Sequence, residues 1–461
     1  MARVNKKPQP LFTHEGAKAK HITPEQALRR STMCCLLWER EFYESGEAIA
    51  DRISELVGKC DPKFVAQLAV GLRNDMKLRH APLWVANSML KYTATKNYVA
   101  DVLHEVIQRP DELCEFLSLY WKKGKTPIAA QVKRGLAKAV TKFNEYQMAK
   151  WNRKTEIKLR DVFQLIHPKP LNEEQGAMWG RLMEGTLATP DTRETALSSG
   201  RDQKTEWTRL LQENKLGAIA LLGSLRHMTD CGVDEGLMRT AIQKMSTDKV
   251  LPFRFISAAR HAPHLEDVLE QSMFKCLESQ PKIPGRTVLL LDHSGSMDQP
   301  LSAKSELTRS DAAIGLALLM REVCEEVLIY TFSRQLVRIP PRHGFALRDA
   351  IMKSQVMRAT FLGTAINAIY SKSAVTLSNK HMMTEVVFPG QGLNPDRLVI
   401  LTDEQSNDPV PAPQGVGYMI NVASNVNGVG YQPWVHIDGW SEAVVAWLRE
   451  YEAAGFTKET G

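Results

Sequence analysis

The amino-acid sequence predicts a helical solenoid followed by a doubly wound α/β domain. Two observations indicate these parts: helical periodicity repeats from about Thr23 to Ser279, and apolar strands alternate with helices after that. The stretch 281–285, which contains two prolines and a glycine, separates them. Since 461 residues exceed what one hydrophobic core usually serves, several domains are expected. We therefore predict an N-terminal extension at 1–20, a helical module at 21–284 and an α/β domain at 285–461.

The helical region has recognisable starts and stops. Thr23 and Asp61 each precede a proline, which is typical of a capped helix N-terminus. Stops are predicted near Gly46, Gly58 and Gly124, because glycine commonly ends a helix. Helix pairs at such spacing favour an α-solenoid of HEAT type over an irregular bundle, although no clear self-repeat is present.

The region after residue 285 has the pattern of a mostly parallel sheet. Its strands are continuously apolar, as expected when both faces are covered by helices. The predicted strands are 287–292, 327–333, 397–404 and 417–423, and the predicted helices include 311–326 and 441–454.

Hydroxyl and carboxylate side chains follow the predicted strands where ligands usually collect in an α/β sheet. Asp292, Ser294 and Ser296 follow the first strand, Asp403 ends a later one, and Thr364 lies at a glycine turn between them. Short oxygen-bearing side chains are the ligands that Mg²⁺ prefers. The sequence therefore predicts a divalent-cation site, most simply for Mg²⁺.

Two alternatives stay open at this site. The aspartate and serines could form an Asx-type turn with no metal. Glu404 could act as a base toward a metal-bound water, but an ordinary strand-end carboxylate is favoured. His293 does not fit the ligand pattern and is expected at the surface or behind the ligands. Because no nucleophile–base pair accompanies the site, we do not expect an enzyme.

A basic strip accounts for the charge imbalance of the chain. Residues 122–169 contain 13 Lys and Arg against 3 Asp and Glu, and aromatic residues are interleaved with them. Arg134, Lys138 and Lys142 are spaced by four and are predicted to share a helical face. This pattern predicts phosphate binding, with a solvated helix face as the alternative.

Other classes of protein are disfavoured by composition. No apolar run is long enough to span a bilayer, and the first residues lack the apolar core of a secretory signal. The seven cysteines include no CxxC pair, so neither a disulfide framework nor a zinc site is indicated. We expect a cytoplasmic protein that does not bind membranes.

Eight motifs are distributed along the chain: THEGAKA (13–19), LLWEREFYESG (36–46), LRNDMKLRHAP (72–82), KAVTKFNEYQMAKW (138–151), LRDVFQLIHPKP (159–170), WTRLLQENKLG (207–217), LPFRFISAAR (251–260) and DHSGSM (292–297). In these motifs and their order the sequence resembles the Ro autoantigen family, in which a TROVE module of HEAT-like helices precedes a von Willebrand factor A-type domain. The resemblance implies a helical ring closed by the A-type domain. It also implies a metal-ion-dependent adhesion site whose ion is completed by an acidic residue of a partner.

The resemblance further implies a non-enzymatic RNA-binding protein, which we expect to be a monomer. Ro-type proteins bind a small noncoding Y-type RNA on the outer basic surface and single-stranded 3′ ends of misfolded RNAs in the central hole. Bacterial members resemble adaptors that tether Y RNA to the exoribonuclease polynucleotide phosphorylase. The function implied is RNA quality control, maturation or decay.

Residue by residue, Lys150, Lys154 with Arg153, and His167 resemble the family positions that contact Y RNA. The segment 151–158 departs from the vertebrate spacing of aromatic and glycine residues, which puts the contact set in doubt. The alternative function is a metal-dependent protein-interaction adaptor in which the helices are a scaffold. A metal-dependent nuclease is disfavoured, because no second carboxylate cluster joins the site.

Overall fold

The computed structural model describes most of residues 11–453. The residues outside the description are 1–10, 20, 34–44, 77, 153–154, 199, 248–249, 251, 279–281, 302–305, 380–383, 424, 431–432, 440–442 and 454–461. The chain divides into two compact units. The helical unit comprises Thr23–Trp38 and Gly46–Lys215, and the mixed unit comprises Met1–Ile22, Glu39–Ser45 and Leu216–Gly461. This division falls at Leu216, whereas the boundary expected from composition lies at 284.

The helical unit consists of α-helices joined by short connections. Its described helices are α1 (Pro24–Met33), α2 (Gly46–Val57), α3 (Pro62–Asn74), α4 (His80–Met89), α5 (Thr93–Lys96), α6 (Val99–Val106), α7 (Pro110–Tyr120), α8 (Ala130–Val140), α9 (Glu145–Trp151), α10 (Leu159–Ile166), α11 (Glu173–Glu184), α12 (Arg193–Leu197) and α13 (Gln203–Gln212). Each is too short to be stable alone, so the unit depends on packing between helices.

The capping signals in the sequence locate two of these helices correctly. The Asp61 carboxylate accepts a hydrogen bond from the backbone N–H of Phe64 at 2.9 Å, and α3 begins at Pro62, directly after Asp61. The Thr23 hydroxyl caps α1 in the same way. Gly58 follows α2 as predicted. Gly46 is the first residue of α2, and the helix stop predicted near it adjoins residues 34–44, which lie outside the described residues. Glycine is also acceptable at a helix start, which the sequence alone could not distinguish.

Close helix packing and a buried ion pair hold the helical unit together. A Cβ at Gly135 of α8 would lie 2.9 Å from the carbonyl oxygen of Ala100 in α6, so only glycine permits this approach. Arg73 of α3 donates a hydrogen bond of 2.6 Å to the buried Glu112 of α7, which also accepts from the backbone N–H of Gln108. These contacts fix how α8 packs on α6 and how α3 packs on α7.

The mixed unit contains helices and a twisted sheet. Its described elements are α14 (Ala218–Leu222), α15 (Leu225–Asp230), α16 (Glu235–Lys244), α17 (Pro252–His261), α18 (Glu266–Glu278), β1 (Ile283–Asp292), α19 (Arg309–Val323), β2 (Cys324–Phe332), β3 (Leu336–Arg338), α20 (Gly344–Met352), α21 (Leu362–Tyr370), β4 (Val375–Asn379), β5 (Thr384–Phe388), β6 (Arg397–Thr402), β7 (Val416–Asn421), β8 (Val435–Asp438) and α22 (Ala443–Ala453). Short 3₁₀ turns occupy Pro263–Leu265 and Gly295–Asp298.

The sheet has the order β3-β2-β1-β6-β7-β8, and every pairing except β2–β3 is parallel. This confirms the predicted α/β part, in which apolar strands are covered on both faces. Strand β1 lies between β2 and β6, and Leu291 of β1 pairs with Leu401 of β6. The edge strand β3, the strand β8 and the separate hairpin β4–β5 were not predicted. Within the described residues, no helix is long and apolar enough to cross a membrane.

Candidate metal centre and nucleic-acid interface

The carboxyl ends of β1 and β6 lie side by side and bring two buried aspartates together. One oxygen of Asp292 accepts a hydrogen bond of 2.6 Å from the Thr402 hydroxyl, and the other accepts 2.9 Å from the backbone N–H of Ser294. Asp403 follows Thr402 and is fully buried. Burial, together with the nearby negative charge of Asp403, raises the pKa of Asp292 well above its ordinary value. A cation at this position would relieve that repulsion.

The two serines contribute hydroxyl oxygens to the same place. The Oγ atoms of Ser294 and Ser296 lie 3.2 Å apart, and Ser294 is buried. Ser296 lies in the 3₁₀ turn that follows β1, which returns its side chain to the side occupied by Ser294. Two carboxylates and two hydroxyls form an oxygen-rich donor set, which fits a hard divalent cation.

Thr364 is held by a different carboxylate. Its hydroxyl and its backbone N–H both donate to Asp408 at 2.6 Å, and the N–H of Gly363 donates to Asp408 at 2.9 Å. Asp408 thereby caps the N-terminus of α21, where the helix dipole favours a negative charge. Among the described residues, Thr364 hydrogen-bonds to Asp408 and not to Asp292 or Asp403.

A buried arginine adjoins the cluster. One guanidinium nitrogen of Arg309, the first residue of α19, lies 3.5 Å from a carboxylate oxygen of Asp403 and 3.5 Å from the carbonyl oxygen of Ser296. Its side chain is only 4% exposed. The guanidinium therefore offsets part of the negative charge of the two aspartates. The sequence reasoning missed Arg309, because it lies 13 residues beyond Ser296 with no recognisable pattern between them.

Both carboxylate oxygens of Glu404 are engaged by neighbouring groups, so the residue is not placed to act as a base. It is completely buried with φ of 60°, its Oε2 accepts from the N–H of Gly430 at 2.8 Å, and its Oε1 contacts Nε2 of His436. The other ring nitrogen of His436 lies 3.4 Å from Asp438. Although burial lowers the pKa of His436, the charges of Asp438 and Glu404 outweigh it and raise this pKa to about 9. Glu404 thus belongs to a buried ion triad.

His293 lies inside the protein. It is 2% exposed, and its Nε2 lies 3.0 Å from the carbonyl oxygen of Gln355. Burial lowers its pKa, so the neutral ring is favoured. His293 was expected either at the surface or behind the candidate ligands. The surface position is wrong, and the position behind the ligands agrees with the structure.

The N-terminal segment packs on the loop that follows β6. The hydroxyl of Thr13 donates to the carbonyl oxygen of Ser406 at 2.9 Å, and the N–H of His14 donates to the side chain of Gln405 at 2.7 Å. The side chain of Asn407 donates to Glu15 at 3.1 Å. The motif at 13–19 therefore helps to hold the loop that begins with Asp403.

The predicted RNA-contact residues in and after α8 differ in their surroundings. Arg134 is exposed, and Lys138 forms an exposed ion pair of 2.9 Å with Asp101. The ammonium of Lys142 donates to the carbonyl oxygen of Ile107 at 2.6 Å and also to that of His104, at the C-terminal end of α6. Lys142 lies just beyond the end of α8 and stabilises α6, so its ammonium is already engaged.

The remaining predicted contacts follow further along the chain. The ammonium of Lys150 lies 5.6 Å from the ring centroid of Trp151, at the end of α9. His167 is exposed and ends α10 in the left-handed conformation with φ of 49°. His167 therefore ends the helix while its ring stays accessible. Arg153 and Lys154 lie outside the described residues.

Comparison with known proteins identifies the family. The TROVE domain matches residues 6–184 and 174–327, which together cover more than half of the chain. The chain belongs to the TROVE domain family. No curated protein matches the sequence. Among solved structures, the crystal structure of the Deinococcus radiodurans Ro (RSR) protein matches with a TM-score of 0.58 and 18% sequence identity, covering 91% of this chain and 98% of that one.

The two comparisons agree with the architecture of this TROVE chain. At 18% identity the structural likeness shows the fold alone, which is a helical module followed by an α/β part. The TROVE match extends to residue 327 and so includes the loop 292–296, which carries the candidate metal ligands, and helix α19. The family match therefore continues past residue 284, where the sequence analysis ended the helical module.

Proposed function

We propose that this TROVE protein binds RNA through the basic strip of its helical unit. The observation that carries the proposal is a surplus of ten basic residues over acidic ones between 122 and 169, in a region that the family matches. Within it Arg134 and His167 are exposed and Lys150 is half-buried. Trp151, beside Lys150, adds an aromatic ring on which a base could stack. Backbone charge and unpaired bases, rather than a fixed sequence, are what such a surface recognises.

The test is RNA binding by the full chain as salt is varied. The probe is a fluorescent stem-loop RNA with a single-stranded 3′ tail, followed by anisotropy. A combined Lys150→Ala, Lys154→Ala and His167→Asn variant should bind at least tenfold more weakly, with a salt dependence reduced by about one per lost phosphate contact. Asparagine is chosen at 167 because it tolerates the left-handed backbone. The control is Lys204→Ala, on α13, and equal affinity of all three proteins would reject the proposal.

The proposal extends to the two binding modes that the Ro resemblance implies. A Y-type RNA would occupy the outer basic surface of the helical ring that the resemblance implies, and single-stranded 3′ ends of misfolded RNA would enter its central hole. An exoribonuclease such as polynucleotide phosphorylase would be the protein partner. If the modes are separate, a tailless Y-type stem-loop and a 3′-tailed RNA bind together without competition. Full mutual competition would instead indicate a single site.

We also propose that the oxygen cluster at the sheet edge holds a divalent cation, Mg²⁺ by its donor chemistry, in an A-type adhesion site. Asp292, Ser294, Ser296 and Asp403 would hold it, and Thr364 would join if its hydroxyl turned from Asp408. When bound, the ion supplies a positively charged position for an acidic group of a partner. Calorimetry should show Mg²⁺ uptake that Asp292→Asn abolishes while RNA binding is retained. Identical uptake by both proteins would contradict the site.

The alternative function, a metal-dependent protein-interaction adaptor, is supported by this same cluster. Two measurements distinguish it from RNA binding. An adaptor would capture acidic partners in a Mg²⁺-dependent manner that Asp292→Asn abolishes, and it would show no salt-sensitive affinity for RNA.

A further inference from the structure

A cavity of about 500 Å³ lies in the helical unit beside Trp151. Glu115 and Leu119 of α7 line its wall, with Lys122 just beyond the end of that helix. Trp151, the last residue of α9, and Ile157, between α9 and α10, complete the part of the wall considered below. Apolar groups form much of the lining, and a small number of polar groups stand at fixed positions. This composition is typical of a site for a small, partly polar ligand.

The most informative polar group in this cavity is Glu115. Its Oε1 accepts a hydrogen bond from the guanidinium of Arg79. Its Oε2 is buried and accepts a hydrogen bond from none of the described residues. A buried carboxylate oxygen without a donor is unfavourable, and burial accordingly raises the pKa of Glu115 although Arg79 lies beside it. A ligand that brought an N–H donor into the cavity would satisfy this oxygen.

The aromatic wall is held in place by charged neighbours. The guanidinium of Arg109 lies 3.5 Å from the ring centroid of Trp151. Asp111 fixes that guanidinium through two hydrogen bonds of 3.1 and 2.6 Å and also accepts from Arg79 at 2.8 Å. Because Asp111 is occupied by these arginines, Glu115 is the acidic group in the lining with an oxygen to spare. An indole stacked with arginine is the kind of rigid surface on which nucleic-acid bases stack.

We propose that this cavity receives one unpaired nucleobase of a bound RNA and prefers guanine to uracil. The inference rests on the proposed RNA binding and names the part of the RNA that this site recognises. Guanine presents a ring N–H and an amino group side by side on its Watson–Crick edge, and both can donate to Glu115. Uracil presents one N–H between two carbonyl oxygens, which the carboxylate repels. Lys122, also in the wall, supplies a positive charge for the neighbouring phosphate.

The experiment compares two labelled octanucleotides, one of uridine only and one with a single guanosine at its centre. Binding to the full chain is measured by anisotropy. The wild-type protein should bind the guanosine-containing RNA about tenfold more tightly, the effect of one charge-assisted hydrogen bond. Glu115→Gln keeps the shape of the side chain and should reduce this preference to twofold or less, because the neutral amide no longer favours the guanine donors or repels the carbonyl oxygens of uracil; affinity for oligouridine should therefore not fall. Glu105→Gln, an exposed carboxylate on α6, is the matched control and should keep the preference.

A second measurement locates the base. An octanucleotide with 6-thioguanosine at its centre should crosslink on irradiation to a peptide that lines the cavity, containing Cys114 or Trp151. If oligonucleotides bind but show no preference that depends on Glu115, or crosslink elsewhere, the base site is overturned while RNA binding stands. If no RNA binds to the wild-type protein, the proposed function and this inference fail together.

Discussion

Asp408 is predicted to be a structural support for Thr364, and Asp408→Asn tests this. Four donors converge on its two oxygens: the N–H groups of Gly363 and Thr364 and the hydroxyls of Thr364 and Ser406, at distances of 2.6 to 2.9 Å. Asparagine has only one accepting oxygen, so two donors would face an amide NH₂. Since an unsatisfied buried donor costs about 1–3 kcal/mol, the local loss is about 3 kcal/mol.

Hydrogen exchange at the start of α21 measures this loss where it occurs. A local destabilisation of about 3 kcal/mol corresponds to roughly 100-fold faster exchange of the amides of Gly363 and Thr364. Mass spectrometry of peptides covering 361–370 reports it. The control is Asp298→Asn, which changes an exposed carboxylate just after the loop 292–296 and should change exchange less than threefold. Equal exchange in the two variants would refute the capping role of Asp408.

Three further predictions follow from other charged groups. Arg309→Gln removes a positive charge beside Asp403 and should tighten Mg²⁺ binding about tenfold by calorimetry, so weaker binding would indicate that Arg309 positions the carboxylate instead. The pKa of His436 is raised from 6.5 to about 9, so the charged form of this residue stabilises the folded state. Its contribution to the free energy of unfolding, on the order of 3 kcal/mol, is complete below pH 6.5 and is lost as the pH rises through 9. Urea unfolding should show the gap between wild type and His436→Gln shrinking from pH 6 to pH 9.5, and a constant gap would contradict it. Glu112→Gln leaves the Arg73 guanidinium buried beside a neutral group and should cost about 3 kcal/mol in urea unfolding, against less than 0.5 kcal/mol for an exposed glutamate.

The sequence by itself determined the capped starts of two helices, the buried parallel strands and the edge of the sheet that carries the candidate site. The capped starts at Thr23 and Asp61 are local signals, since a side chain three residues away supplies the bond. The apolar runs that end at Asp292 and Asp403 placed both carboxylates correctly, because parallel strands end at the same edge. Motifs distributed along the chain identified the family, which the TROVE match confirms.

Only the tertiary structure decided which groups surround those residues. Asp408 binds Thr364 across 44 residues, Arg309 reaches Asp403 across 94, and Thr13 bonds to Ser406 across 393. Neither the helical period nor the strand period carries information over such separations. Lys142 was predicted to share a helical face with Arg134 and Lys138, yet it lies beyond the end of α8 and its ammonium bonds to the end of α6, because a side chain also meets whatever helix packs beside it. Periodicity fixes the direction of a side chain, and the partner it meets depends on how distant segments pack.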